Sequence, residues 1–125
     1  MSLALTAGLR DALATWLDQR AALDGAAEHT IRAYRGDVTG FLAVLATHTG
    51  DSIGPARLAQ VTQSDMRSWM AHERGHGVAA RSLARRLSAV KGFARWLAER
   101  DGFDVTAILA ARSPKFQRKL PRPLS

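Results

Sequence analysis

Leu5, Leu9, Ala12, Leu13, Trp16, Leu17, Arg20 and Leu23 recur at steps of three and four, which sets an apolar stripe along a first helix from about Leu3 to Leu23. Asp24-Gly25 supplies its break, because glycine tolerates the left-handed conformation that ends helices. A second stripe follows in Ile31, Tyr34, Val38, Phe41, Leu42 and Leu45, with Arg32 and Arg35 on a more exposed flank and an end near Thr47. The stretch HTGDSIGPARLAQ holds Gly50, Gly54 and Pro55 and reads as a loop. Thr62 with Asp65 three residues on forms a capping-box-like start to a short third helix. Met66, Trp69 and Met70 face inward on it, and Gly75 and Gly77 stop it near His76. The fourth helix, about Ala79 to Arg100, has the clearest pattern. Its seam is Leu83, Leu87, Val90, Ala94 and Leu97, widened by Phe93 and Trp96, with Arg81, Ser82, Arg85, Ser88 and Arg95 on other faces.

Asp104 is placed to cap one more short helix through Ala111, after which RSPKFQRKLPRPLS packs three prolines and five Lys/Arg into fourteen residues. That composition predicts an extended basic linker. No period-two run enriched in β-branched residues appears, so no sheet is expected. The elements predict an all-α bundle of four helices with a short extra C-terminal helix. The predicted division is a helical domain over 1–111 and a linker over 112–125.

At 125 residues the chain is the size of one domain, and 46% hydrophobic with 23% charged residues suits a folded body. Without cysteine there is no disulfide framework, thiolate metal site or cysteine nucleophile. The N-terminus lacks a basic leading segment and carries Arg10 and Asp11 in its apolar stretch, so neither a signal peptide nor a membrane span is expected, and the default address is the cytoplasm. The formal charge of +7 is unevenly spread: residues 1–76 carry seven Lys/Arg against eight Asp/Glu, whereas residues 77–125 carry eleven against three. Such a lopsided field suits a polyanion. Nucleic acid leads, ahead of an anionic membrane or an acidic protein.

Candidate chemistry centres on the basic flank of the fourth helix. Arg81 and Arg85, one turn apart beside Ser82, are spaced to reach base edges or phosphates in a major groove, with Arg86 and Lys91 as backbone contacts. The competing reading is that these long side chains merely solvate a bundle surface. His72 to His76, HERGH, formally matches a zinc-hydrolase motif with Glu73 as base and Glu99 as a conceivable third ligand. Gly75 inside the motif argues instead for an exposed helix C-terminus, where histidines favour the dipole, and no metal or other cofactor is expected. His29 and Arg32 precede Tyr34, the sole tyrosine, but one helical turn cannot surround a phosphoryl group, so Tyr34 reads as a packing residue with its hydroxyl at the rim. Trp16, Trp69 and Trp96 sit on or beside apolar stripes and read as core rather than as a base-stacking platform.

TIRAYRGDVTGFL (Thr30 to Leu42) resembles the pattern T-x-x-x-Y-x-x-D-x-x-x-F of the second helix in XerC/XerD-type tyrosine recombinases. RSLARRLSAVKGFARWL (Arg81 to Leu97) is similar to their fourth helix, and PKFQRKLPRPLS (Pro114 to Ser125) to the linker that leads into their catalytic domain. The resemblance implies a core-binding, SAM-like domain: an orthogonal four-helix bundle whose second and fourth helices face the major groove of double-stranded DNA. Carried over by position, Thr30, Arg32, Tyr34 and Arg35 lie on the first DNA-facing helix, and Arg81, Ser82, Arg85 and Arg86 on the second. Arg95 and the linker residues Lys115, Arg118 and Lys119 are further candidates for phosphate contacts. The implied role is to grip a recombination half-site during chromosome-dimer resolution, beside a partner recombinase protomer. A phage or transposon integrase domain is the near alternative, and a helical protein-interaction module with a basic tail the more distant one. The family's catalytic residues all lie beyond the linker, so this chain alone is expected not to cleave DNA. Ala27-Glu28 and Asp104-Val105-Thr106 stand where the family usually has a Ser or Asn cap and often Asn-Pro.

Overall fold

The computed structural model describes residues 5–114. Four long helices, α1 (Ala7–Asp24), α2 (Glu28–Thr49), α3 (Gln63–Gly75) and α4 (Ala80–Asp101), are followed by the short α5 (Thr106–Ala110). No strand occurs among the described residues, and the architecture is all-α.

Helix α1 starts later than its apolar pattern predicts, because Thr6 caps it: the Thr6 hydroxyl accepts a hydrogen bond from the Leu9 amide at 3.2 Å. The residue before the cap is drawn into a different contact. Leu5 forms an isolated parallel bridge with Ile53, and the Thr6 amide donates to the Ile53 carbonyl at 2.9 Å. That bond anchors the connection after α2 to the start of the chain. Gly25 ends α1 at φ 62°, a left-handed conformation that fits the predicted break. The stripe fades before that end: Leu23, predicted to face inward, is 73% exposed.

Helix α2 continues to Thr49, past its predicted end, and closes on Gly50 at φ 78°, whose amide donates to the Ala46 carbonyl. No side chain caps its start at Ala27, in keeping with the missing Ser or Asn, and Glu28 is the acidic residue of its first turn. The segment predicted as a loop contains a 3-10 helix, Pro55–Gln60, with proline in its first turn and Leu58 buried. The capping box of α3 is complete: Thr62 Oγ1 accepts from the Asp65 amide and Asp65 Oδ2 from the Thr62 amide, both at 3.0 Å.

The core lies where α1, α2 and α4 meet and continues beneath α3 and α5. The predicted seam of α4 is buried throughout, with Leu83, Leu87, Val90, Ala94 and Leu97 each no more than 3% exposed. An aromatic chain runs across the helices: Trp16 sits 5.8 Å from Tyr34 and 5.6 Å from Phe93, and Phe93 stacks at 6.2 Å on Trp96. Phe41 meets Trp69 edge-on at 5.1 Å. Trp16 and Trp69 are thus core residues, while half-buried Trp96 donates from Nε1 to Gln19 Oε1 at 3.0 Å and lies under the Arg100 guanidinium. Gly92 lies against the Trp16 ring where α1 and α4 meet, and a Cβ there would stand 3.4 Å from Trp16 Cζ2, a close contact.

At the far end, Asp104 Oδ1 accepts from the Thr106 amide at 2.8 Å and from the Thr106 hydroxyl, fixing the entry to α5. The Thr106 hydroxyl, then the Thr106 amide, hold the Asp104 carboxyl below its ordinary range.

Phe93→Ala removes a ring buried between Trp16 and Trp96 and is expected to destabilise the chain by about 3–5 kcal/mol, read from the urea unfolding midpoint. Asp104→Ala is expected to lower the melting temperature at neutral pH. A depressed folded pKa contributes stability above the ordinary value of about 3.9, so the gap between wild type and variant should close as acidification carries Asp104 through its lowered pKa.

Candidate nucleic-acid interface

The helical period places the functional rows. On α4 the core seam begins at Leu83, and Arg81, Arg85, Ser88, Gly92 and Arg95 repeat the same steps of four and three, displaced by two residues. Two residues are about 200° of helical rotation, so the arginine row turns away from the core seam, with Arg85 and Gly92 along the edge that borders α2 and α1. Arg81, Arg85, Ser88 and Arg95 are exposed accordingly.

On α2, Thr30, Tyr34, Asp37 and Phe41 form one row by steps of four, three and four. This row faces α1 and α4. Tyr34 and Arg85 line the same depression of about 240 Å³, together with Trp16, Arg20, Ser88 and Gly92. Tyr34 is half-buried, packed on Trp16, and joins the aromatic chain at its edge.

Asp37 is the buried charged residue of the described chain, with its side chain 5% exposed. Its Oδ1 accepts from Arg85 Nη2 at 3.0 Å and lies 3.8 Å from Arg86 Nε. Arg86 turns the other way as well, donating from Nη1 to Glu73 Oε1 at 2.5 Å, and Glu73 Oε2 lies 3.2 Å from His72 Nδ1. Helices α2, α3 and α4 are therefore tied by one polar bracket of two carboxylates and two guanidiniums. Arg85 stays 54% exposed at its outer end, whereas Arg86 is only 33% exposed.

The structure thus brings Tyr34 and Arg85 together and commits Arg86 to Glu73, while Thr30 lies one turn before Tyr34 on α2, outside the depression's lining. Any contact of Arg86 with a phosphate has to compete with that ion pair. Arg32 lies about 200° around α2 from Tyr34, is 68% exposed and makes a long 3.8 Å contact with Glu28; Arg35 is also exposed, away from the depression. Ser82 is half-buried beside Arg81. Lys115, Arg118 and Lys119 lie outside the described residues. Sequence reasoning gave neither acid its structural role: Asp37 stood only as the aspartate of the quoted family pattern, and Glu73 only as the base of the formal zinc motif. The signal for Asp37 was an acidic residue three positions after Tyr34, within the apolar row; nothing local marks Glu73 as its counterpart.

His72 and His76 stand at the end of α3 as the sequence implies, both exposed, with rings 4.3 Å apart and His76 Nδ1 2.8 Å from the His72 carbonyl oxygen. Among the described residues no group of three or more His, Cys, Asp or Glu is arranged to hold a metal ion. No helix among them is long and apolar enough to cross a membrane.

Residues 13–101 match the family model for the phage integrase N-terminal SAM-like domain, and the chain belongs to that family. It is similar to the tyrosine recombinase XerC of Methylobacterium nodulans, with 42% identity over 93% of this chain and 36% of the relative. The tyrosine recombinase XerC of Rhodospirillum centenum is 40% identical over 88% of this chain and 31% of its own length, and that of Xanthomonas axonopodis pv. citri 37% identical over 77% and 33%. The chain spans about a third of the length of the curated relatives it matches. No solved structure matches it at a significant level.

Glu73→Ala leaves the half-buried Arg86 without its closest partner. The expected loss is about 1–3 kcal/mol of folding stability, measured by urea denaturation.

Proposed function

We propose that this chain is the DNA-binding part of a site-specific tyrosine recombinase, gripping a recombination half-site through the major groove. The observation that carries the reading is the outward row of Arg81, Arg85 and Arg95 on α4, next to the depression that Arg85 shares with Tyr34 of α2. A helix of 22 residues is about 33 Å long and of a width that a major groove of about 12 Å admits. The net charge of the C-terminal portion supports the same partner, since neutralising phosphates releases condensed counterions.

In this reading Arg81, Ser82 and Arg85 address base edges, and Thr30, Arg32, Tyr34 and Arg35 set the register of α2 on the duplex. Arg86, Arg95, Lys115, Arg118 and Lys119 serve phosphates, residues 1–111 forming the gripping body and 112–125 the linker. The chain grips without cutting; cleavage belongs to a catalytic domain beyond the linker. The process served is chromosome-dimer resolution in the cytoplasm, with a partner recombinase protomer on the neighbouring half-site. The alternative reading is the same grip in a phage or transposon integrase.

A salt titration of duplex binding tests this. The wild-type chain is expected to give a steep negative slope of log affinity against log salt, and Arg81→Ala/Arg85→Ala to lose about 2–6 kcal/mol of binding free energy if both arginines contact bases. A weak affinity indifferent to salt would instead favour a protein-interaction module, and an unchanged curve in the double variant would remove α4 from the interface.

A further inference from the structure

Asp37 is an anomaly on the surface just described, because a carboxylate beside a polyanion site weakens binding by repulsion. Its placement shows what it does to the arginine next to it. The Asp37 side chain is almost wholly enclosed between α2 and α4, one turn after Tyr34, whereas the Arg85 side chain is more than half exposed. The carboxylate is the fixed end of the pair and the guanidinium the free end. Behind Asp37, Arg86 Nε lies 3.8 Å away as a long charge contact, and Arg86 is clamped by Glu73 on α3. Among the described residues Asp37 Oδ2 has no hydrogen-bond partner, so Oδ1, which receives Arg85, is the working oxygen of the group.

A guanidinium anchored through Nη2 spends one N–H on Asp37, and its remaining donors stay on a half-exposed side chain whose swing Asp37 restricts. An unanchored arginine at the same position would sample many rotamers and meet phosphates as readily as bases. Paired donors in a fixed plane match the O6 and N7 acceptors of guanine, which an arginine reads bidentately.

We propose that Asp37 is a positioning residue that fixes Arg85 for a bidentate contact to a guanine edge, so that it sets base discrimination at the cost of overall affinity. The proposal rests on the DNA-gripping reading and deepens it. Two effects of opposite sign follow. Without the Asp37 charge, affinity for arbitrary duplex rises, while preference at the base pair that Arg85 reads falls.

The test equilibrates the full 125-residue chain with a pool of short duplexes of random sequence and sequences the retained fraction. In parallel, affinity for one arbitrary duplex is measured across salt concentrations, with urea unfolding to confirm that each variant is folded. The wild type is expected to enrich a pattern containing guanine. Asp37→Asn and Arg85→Ala are each expected to lose about tenfold of the preference at that same base pair, and their combination to lose no more than Arg85→Ala alone. Asp37→Asn is also expected to bind the arbitrary duplex more tightly than wild type. Arg85→Lys gives an arm that does not depend on the folding of the Asp37 variant: an ammonium cannot present the planar fork, so the same preference should disappear although the charge is kept. Retention of the guanine preference in Asp37→Asn or in Arg85→Lys would overturn the proposal. So would an even loss of preference across the whole site together with weaker binding of the arbitrary duplex, which is what a purely structural Asp37 predicts. Failure of the wild type to retain any duplex in a salt-dependent way would defeat the DNA-gripping reading itself, before any variant is compared.

Discussion

Helix α4 can bury only one of its faces, and the core takes the face bearing Leu83, Leu87, Val90, Ala94 and Leu97. At about 100° per residue, that choice carries Arg81, Arg85, Ser88 and Arg95 to the opposite side. Shifting the seam by two residues would drive the arginines into the interior, where uncompensated charge is prohibitively costly. The apolar and basic rows therefore specify each other. Along the same row Gly92 borders Trp16 of α1, which joins the aromatic chain linking α4 to α1 and α2.

A second layer of organisation is polar. Asp37 and Glu73 receive Arg85 and Arg86 from one side of α4, so that neighbouring arginines in the sequence have different fates. Arg86 is drawn towards α3 and Arg85 remains at the surface. Partly enclosed ion pairs of this kind contribute little net stability compared with apolar contacts of the same size, yet they dictate geometry, because a carboxylate with restricted freedom defines where its partner can point. On the DNA-gripping reading this geometry is the useful product, and the repulsion that Asp37 adds is a tolerable loss against a strongly basic C-terminal portion.

Much of the helical framework was legible along the chain because each long helix carries its own period, and breaks at Gly25 and near His76 and the Thr62–Asp65 capping box are local signals. Errors fell where a tertiary contact overrode a local pattern. Leu23 continues the α1 stripe in sequence but lies beyond the reach of the neighbouring helices and is exposed. The start of α1 is decided by the Thr6 cap and the bridge from Leu5 to Ile53, a pairing between segments far apart in the chain. The 3-10 helix over Pro55–Gln60 was hidden by the Gly and Pro residues that mark the segment as irregular, although Leu58 needed a buried place.

The sequence by itself determined that this is an all-α domain, which residues of the helical seams face inward apart from Leu23, and that its positive charge gathers towards the C-terminus, since these follow from periodicity and composition along a single chain. It also carried the motifs of its second and fourth helices, which lie within the residues 13–101 that match the phage integrase N-terminal SAM-like domain. Only the tertiary structure decided that Tyr34 and Arg85 share one depression, that Arg32 turns away from it, and that Asp37 and Glu73 divide Arg85 from Arg86. Those pairings join residues 48 and 13 positions apart. No local rule encodes them, because they exist only once the burial of three apolar faces has fixed how α2, α3 and α4 lie against one another.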